Sequence, residues 1–141
     1  LPSSNDIDSY PSIWNTYDIP PLNMNKPGVK TYDVNVNPDD IFEWPYYWCA
    51  TDYDILSENL ENMTVRFYVN NELVPDSYLY RYSKKNSNWK CQYWSAKVFG
   101  WEANKITNLK IRYTLLKDLF DGDKKYPSGE YVFELVVTVS S

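Results

Sequence analysis

The chain has 141 residues, 43% of them hydrophobic, which is enough for one domain with a single core. It contains no His, which excludes Ser-His-Asp and Cys-His nucleophilic sites and every His-containing metal centre. A net charge of −5 argues against a nucleic-acid partner, because phosphate binding depends on Lys and Arg. No apolar run approaches the roughly 18 residues of a membrane span, so no transmembrane segment is predicted.

Residues 1–28 are rich in Pro, Asn and Ser and show no sustained hydrophobic period, so they are interpreted as an N-terminal tail or tether. The segment includes apolar side chains such as Trp14, and we expect part of it to lie against the domain. Pro27-Gly28 marks a turn, after which regular alternation begins. Residues 29–141 are therefore predicted to form a single domain.

Four segments of this domain alternate apolar and polar residues with a period of two, which is typical of half-buried strands. These segments are 31–36, 64–70, 109–115 and 131–139. Asn70-Asn71 tolerates positive φ and is followed by another short apolar run, which predicts a hairpin. The phase of the alternation changes around the second cysteine, and this predicts a β-bulge near Tyr93 to Ser95.

One segment has helical spacing. Leu56, Leu60 and Met63 fall on one face of a short helix, and either Asp52 or Asp54 would cap its first turn. Short strands with polar exteriors and turn signals between them are typical of two packed antiparallel sheets. The sequence thus predicts an all-β fold, an immunoglobulin-like antiparallel β-sandwich with one short helix.

The chain has two cysteines, Cys49 and Cys91, and their spacing alone does not separate a disulfide from two buried thiols. It begins at Leu1 without Met, as a mature chain would after removal of a targeting segment. This context favours a disulfide and an extracellular or cell-surface location.

Aromatic residues are abundant, with 14 Tyr, 6 Trp and 5 Phe. Sugar rings stack on exposed aromatic faces, so an aromatic platform would make the domain a carbohydrate-binding module; Tyr and Trp are also favoured in protein interfaces. The candidate ligand-binding aromatics are Trp44, Tyr46, Tyr47, Tyr78, Tyr80 and Tyr82. The alternative is that aromatic side chains fill the core, and core packing is favoured for Trp48 and Trp89 beside the cysteines.

Carboxylates cluster in loops, for example at Asp118, Asp121 and Asp123. Calcium takes ligands from such loops, but the spacing does not match an EF-hand. Turn formation and solvation are the favoured explanation. Paired carboxylates also catalyse glycoside hydrolysis, yet a small domain has little room for a deep cleft. No catalytic residue, metal ligand or cofactor is predicted, and the chain is interpreted as not an enzyme.

Three motifs resemble a pattern in uncharacterised β-sandwich domains of secreted bacterial lipoproteins. They are WPYYWCA at 44–50, Gly100-Trp101, and YPSGEY at 126–131, and the resemblance covers residues 29–141. It implies a Cys49–Cys91 disulfide, a cell-surface β-sandwich, and a tether that follows a removed lipid-attachment signal. Such a chain would be lipid-anchored before trimming.

This family has no established activity to transfer. The sequence therefore predicts a non-catalytic extracytoplasmic interaction or structural domain, whose partner is an unknown protein or glycan at the cell surface. The alternative function is a carbohydrate-binding module that uses an exposed aromatic platform.

Overall fold

A computed structural model describes residues 10–19 and 24–140. Within these ranges the chain forms two α-helices, one 3-10 turn and ten strands. In chain order they are α1 (Ile13–Thr16), β1 (Gly28–Val36), β2 (Phe42–Ala50), α2 (Tyr53–Glu61), β3 (Met63–Val69), β4 (Glu72–Leu73), the 3-10 turn (Asp76–Tyr78), β5 (Tyr80–Asn86), β6 (Trp89–Val98), β7 (Ile106–Leu115), β8 (Leu119–Phe120), β9 (Lys125–Tyr126) and β10 (Gly129–Val139).

The strands form a five-stranded sheet in the order β1-β10-β7-β3-β4, a three-stranded sheet in the order β2-β6-β5, and the small β8-β9 hairpin. The prediction of an all-β fold is confirmed. The expectation of purely antiparallel sheets is wrong, because β1 runs parallel to β10, with Gly28 opposite Tyr131 and Val36 opposite Val139. Parallel neighbours need a long connection, and here almost the whole domain connects them. The alternation of apolar and polar residues shows which face of a strand is buried, but it does not show whether the neighbouring strand is parallel or antiparallel.

The two large sheets pack face to face, and large aromatic side chains fill the space between them. In β2 the even-numbered residues point into this core: the ring centroid of Trp44 lies 4.8 Å from that of Phe67 on β3, and Tyr46 stacks at 4.6 Å on Tyr113 of β7. All four of these side chains are buried. The buried inner residues of the predicted strands at 109–115 and 131–139 complete the core.

The predicted hairpin is confirmed. β3 and β4 pair through Tyr68 opposite Leu73, and Asn70 and Asn71 connect them with φ of 50° and 68°. Positive φ is expensive for most residues but tolerated by Asn, which explains why this dipeptide closes the turn. β4 ends the five-stranded sheet.

The predicted β-bulge is wrong. The pairing of β6 with β2 continues without interruption from Cys91 opposite Cys49 to Val98 opposite Phe42. The pairing of β6 with β5 is equally regular. The sequence suggested a change of phase because β6 is apolar on both faces: Cys91 belongs to the outer face, and Trp94 packs in the core.

The predicted helix is confirmed as α2, and Asp52 is its cap: Oδ1 of Asp52 accepts a hydrogen bond of 2.8 Å from the backbone N–H of Ile55. Of the predicted helical face, Leu56 is buried and Leu60 half-buried on α2, but Met63 is the first residue of β3 rather than part of the helix. The expectation of a single helix is wrong, since α1 also forms. Four residues are too few to show a helical period in a sequence.

Residues 10–19 of the predicted tail pack against the domain. Trp14 is only 6% exposed, and its indole Nε1 donates a 2.6 Å hydrogen bond to the carbonyl oxygen of Pro45. The backbone N–H of Glu43 donates to the carbonyl oxygen of Pro11, so this segment covers the start of the free edge of β2. Residues 1–9 and 20–23 lie outside the described part, and the role of a tether stays a prediction.

We predict that Trp14→Ala lowers the free energy of unfolding by about 3–5 kcal/mol, because it removes a buried indole and leaves a cavity against β2. Urea unfolding followed by circular dichroism measures this. The matched control is Asn15→Ala, an exposed position in the same helix, which should change stability by less than about 0.5 kcal/mol. If Trp14→Ala lowers the free energy of unfolding no more than Asn15→Ala does, the prediction is contradicted.

Candidate functional site

A disulfide joins Cys49 of β2 to Cys91 of β6, as the sequence predicted. The two residues are directly opposite in the ladder, with their Cα atoms 4.1 Å apart. Their side chains lie on the outer face of the three-stranded sheet, because the core residues of β2 and β6 have the other parity. The bond therefore cross-links two neighbouring strands of the same sheet and does not join one sheet to the other.

The six candidate aromatics do not form one platform. Trp44 and Tyr46 are 0% and 1% exposed and belong to the core. Tyr80 is also buried, at 8% exposed, although it belongs to the outer face. Alternation explains the division within the 44–47 stretch, because successive residues of a strand point to opposite faces.

The other three candidates are Tyr47, Tyr78 and Tyr82. Tyr78 is 66% exposed on the 3-10 turn, with neither of the other two stacked on it. Tyr47 and Tyr82 are half-buried and stack on opposite sides of Tyr93, with both ring-centroid distances 5.0 Å and interplanar angles of 24° and 11°. Both faces of Tyr93 are thus covered, and the hydroxyl group of Tyr82 donates a 3.3 Å hydrogen bond to Oε1 of Glu43.

Beside this stack lies a cleft of about 240 Å³ at the disulfide end of the three-stranded sheet. It combines half-exposed aromatic rings with carboxylates, an ammonium group and an amide. The lining residues that matter chemically are Tyr47, Trp48, Asn86, Trp89, Asp121, Asp123, Lys124 and Tyr126. We name this the aromatic cleft.

The turn between β8 and β9 supplies the charged groups of the aromatic cleft. Oδ1 of Asp121 accepts hydrogen bonds from the backbone N–H groups of Asp123 and Lys124, at 2.8 and 2.7 Å. The carbonyl oxygen of Asp121 accepts from the N–H of Thr51, at 2.9 Å. Gly122 is required here, since its φ is 102° and a Cβ would lie 1.8 Å from Oγ1 of Thr51. The turn is therefore held rigidly against the end of β2.

The aromatic wall is also held in place by hydrogen bonds. The indole Nε1 of Trp48 donates 2.9 Å to Oδ1 of Asn59, whose Nδ2 donates 3.1 Å to the carbonyl oxygen of Phe120. Tyr126 meets Trp48 edge to face, with ring centroids 5.1 Å apart. Asn59 is 3% exposed, so its amide is committed to positioning the wall.

Burial raises the pKa of Tyr126 to about 12, and the charge of Asp121 and a hydrogen bond to its carboxylate act in the same direction, as does the charge of Asp123. Deeper in the cleft, burial also raises the pKa values of Tyr46 and Tyr113. All three phenols remain protonated at neutral pH. The cleft therefore presents hydroxyl groups, rings and carboxylates but no activated nucleophile.

Sequence reasoning found part of this site. Tyr47 and Tyr46 were candidates, and Tyr46 reaches the cleft from the core side. The prediction of core packing is confirmed for Trp48, which is 7% exposed, but is wrong for Trp89, which is half-buried on the outer face. Both residues also line the cleft. The Asp121-Gly122 turn signal was visible, but only the tertiary fold places it beside these rings.

The described residues contain no group of three or more Cys, Asp or Glu side chains arranged to hold a metal ion. None of the helices in the described ranges is long and apolar enough to cross a membrane. Comparison with known proteins found no matching family model, no matching curated protein and no matching solved structure. The resemblance to lipoprotein domains accordingly stays a prediction.

We predict that stability falls as the pH rises from about 10 to about 12, because the folded state binds the Tyr126 proton more tightly than the unfolded state, whose pKa is 10.0. The contribution is complete below pH 10. Tyr126→Phe keeps the ring but removes the proton, so its unfolding free energy should decline less steeply in this range. Urea unfolding at stepped pH measures the slope. Tyr78→Phe, at an exposed position, is the control; a slope unchanged in Tyr126→Phe contradicts the prediction.

Proposed function

We propose that the chain is a non-catalytic extracytoplasmic interaction domain of immunoglobulin-like architecture that binds its ligand in the aromatic cleft. The observation that carries the proposal is the cleft itself, where rigidly held rings and polar groups converge on one small cavity. Its buried carboxylate, Asp121, already accepts backbone hydrogen bonds that shape the turn. With no His in the chain, these groups suit binding better than catalysis.

The strand order supports the immunoglobulin-like arrangement. Lettered in chain order, β2, β6 and β5 correspond to strands B, E and D, and β3, β7 and β10 to strands C, F and G. β4 lies beside β3, where variable-type domains have strand C′. The chain departs from the antibody pattern in its disulfide, which joins the B and E equivalents rather than B and F.

The disulfide supports an extracytoplasmic location, because such bonds persist mainly in oxidising compartments. Cys91 is 1% exposed, whereas Cys49 is half-buried. Attachment at the cell surface through the N-terminal segment belongs to the same proposal.

The location is tested by exporting the chain to the periplasm of a bacterial host and, separately, retaining it in the cytosol. We expect the exported protein to contain no free thiol by mass spectrometry. We expect the free energy of unfolding of the reduced cytosolic protein to be about 2–4 kcal/mol lower than that of the exported protein, since the bond closes a loop with a sequence separation of 42 residues. Two free thiols in the exported protein, or equal stability of both forms, would remove the support from the disulfide.

Carbohydrate binding is a second candidate function, and the composition of the cleft favours it. Saccharides are bound by aromatic rings together with carboxylate and amide groups that hydrogen-bond hydroxyls, and Trp89, Asn86 and Asp123 supply one of each. A volume of about 240 Å³ lies below the roughly 300–1,000 Å³ of drug-sized sites. We therefore expect one sugar unit to enter, rather than a chain lying on a platform.

The test is titration with a panel of mono- and disaccharides, followed by intrinsic Trp fluorescence and by NMR of the labelled protein. We expect at least one sugar to bind, and Trp89→Ala and Asp123→Asn each to weaken it about tenfold. Tyr78→Ala, which changes an exposed aromatic outside the cleft, should leave the affinity unchanged. Absence of binding across the panel at millimolar sugar would exclude this candidate, and equal losses in all three variants would place the site elsewhere.

A further inference from the structure

The three-stranded sheet has an open edge that is strongly basic. Its last strand is β5, and no strand lies beyond β5 in residues 10–19 and 24–140. The three strands of this sheet contain five basic residues and only one acidic residue, although the whole chain has a net charge of −5. These residues are Arg81, Lys84, Lys85, Lys90 and Lys97, against Glu43.

The hydrogen bonds of β2 establish which backbone groups of this sheet point outward. Glu43 donates its N–H to Pro11, and Pro45 accepts from Trp14, so both residues direct their backbone groups away from β6. The short Cα separation at the Cys49–Cys91 bond, 4.1 Å, is typical of a non-hydrogen-bonded pair of the same parity.

Hydrogen-bonded and non-hydrogen-bonded residue pairs alternate in the same way between β6 and β5. The odd residues of β6 do not bond to β2, so they bond to β5, where their partners are Tyr80, Tyr82 and Lys84. The backbone N–H and C=O groups of the remaining β5 residues therefore face the open edge. These residues are Arg81, Ser83 and Lys85.

The side chains at these three positions share one face of the sheet. It is the face that looks toward the other sheet, since Arg81 and Ser83 line a groove of about 940 Å³ between β5 and the β3-β4 hairpin. Apolar residues of both sheets form much of the groove, among them Phe67, Leu79 and Trp94. Ser83 is small, so the groove is accessible between the two basic side chains.

We propose that the open edge of β5 binds an extended acidic peptide, which joins the sheet as a fourth strand. Two acidic residues of the peptide lie opposite Arg81 and Lys85, and an apolar residue midway between them lies opposite Ser83 and enters the groove. Main-chain hydrogen bonds supply affinity in this type of recognition, and alternate side chains supply specificity. The recognised pattern is acidic-x-apolar-x-acidic.

The charges select this occupant over a second copy of the chain. Antiparallel pairing of two β5 strands about Ser83 would place Arg81 of each copy opposite Lys85 of the other, and like charges directly opposite destabilise a strand pair. Basic residues on an edge strand protect it from general pairing in the same way. An acidic strand reverses the sign of this interaction.

Little has to be displaced for the peptide to bind. Arg81 forms an ion pair of 3.3 Å with Asp76, but the two side chains are 53% and 85% exposed. Exposed ion pairs contribute little stability. A peptide carboxylate held by strand pairing would compete with Asp76 for the same guanidinium group.

The test uses the oxidised chain and three capped peptides: TETFTET, neutral TQTFTQT and basic TKTFTKT. Their symmetric pattern permits either strand direction. We expect TETFTET to bind, with NMR shift changes centred on the amides of Arg81, Ser83 and Lys85, and the other two to bind at least tenfold more weakly. No binding at millimolar peptide, equal binding of all three, or shifts centred elsewhere would overturn the proposal.

Two variants separate the charges from the backbone. The double variant Arg81→Glu with Lys85→Glu should weaken the binding of TETFTET at least tenfold and strengthen the binding of TKTFTKT. The control, Lys26→Glu with Lys30→Glu, makes the same change at two exposed positions, one before β1 and one in it, and should alter neither affinity. Ser83→Pro removes one outward N–H and no ladder bond to β6, so it should abolish binding while circular dichroism remains unchanged. If Ser83→Pro does not fold, the peptide affinities of the Arg81→Glu with Lys85→Glu variant still test the proposal. Equal binding of heparin at these amides would indicate a general anion surface and overturn the peptide assignment.

Discussion

The register of β2 against β6 is the constraint on which the rest of the molecule depends. With Cys49 opposite Cys91, every even residue of β2 enters the core and every odd residue lies on the outer face. Trp44 then meets Phe67, and Tyr46 meets Tyr113 in the other sheet. A slip of one residue would exchange the two faces completely, so the disulfide fixes the packing of both sheets as well as closing a loop.

The same register makes the two edges of the three-stranded sheet unequal. The edge at β2 is closed at both ends, by the N-terminal segment at Pro45 and by the β8-β9 turn at Thr51, and the aromatic cleft lies beside the stretch between these contacts. At the β5 edge no strand follows in the described ranges. Edge strands are usually blocked or charged, and here one edge is blocked while the other is charged.

Sequence patterns predicted the elements whose signal is local, either an alternation of apolar and polar residues or a turn sequence. Residues 131–139 and the Asn70-Asn71 hairpin are such cases, since period and turn chemistry are local properties. The patterns were misleading where a strand is apolar on both faces, as at Cys91 and Trp94, and where pairing is distant, as between β1 and β10. The candidate site shows the same limit: Tyr46 and Tyr47 are neighbours in sequence, yet one is core and the other surface, and the turn at Asp121 reaches them only through the fold.

Charge separates the two proposed sites. The cleft has two carboxylates, Asp121 and Asp123, against the ammonium group of Lys124, whereas the β5 edge presents Arg81 and Lys85. Acidic peptides are therefore repelled from the cleft and attracted to the edge. An uncharged ligand such as a sugar gains no electrostatic attraction at the edge. At physiological salt, interactions between exposed charges that are more than about 8–10 Å apart are largely screened. Each site therefore responds mainly to its own charges rather than to the net charge of −5. An acidic chain is thus able to bind an acidic partner, since binding depends on the local arrangement of charge along one strand.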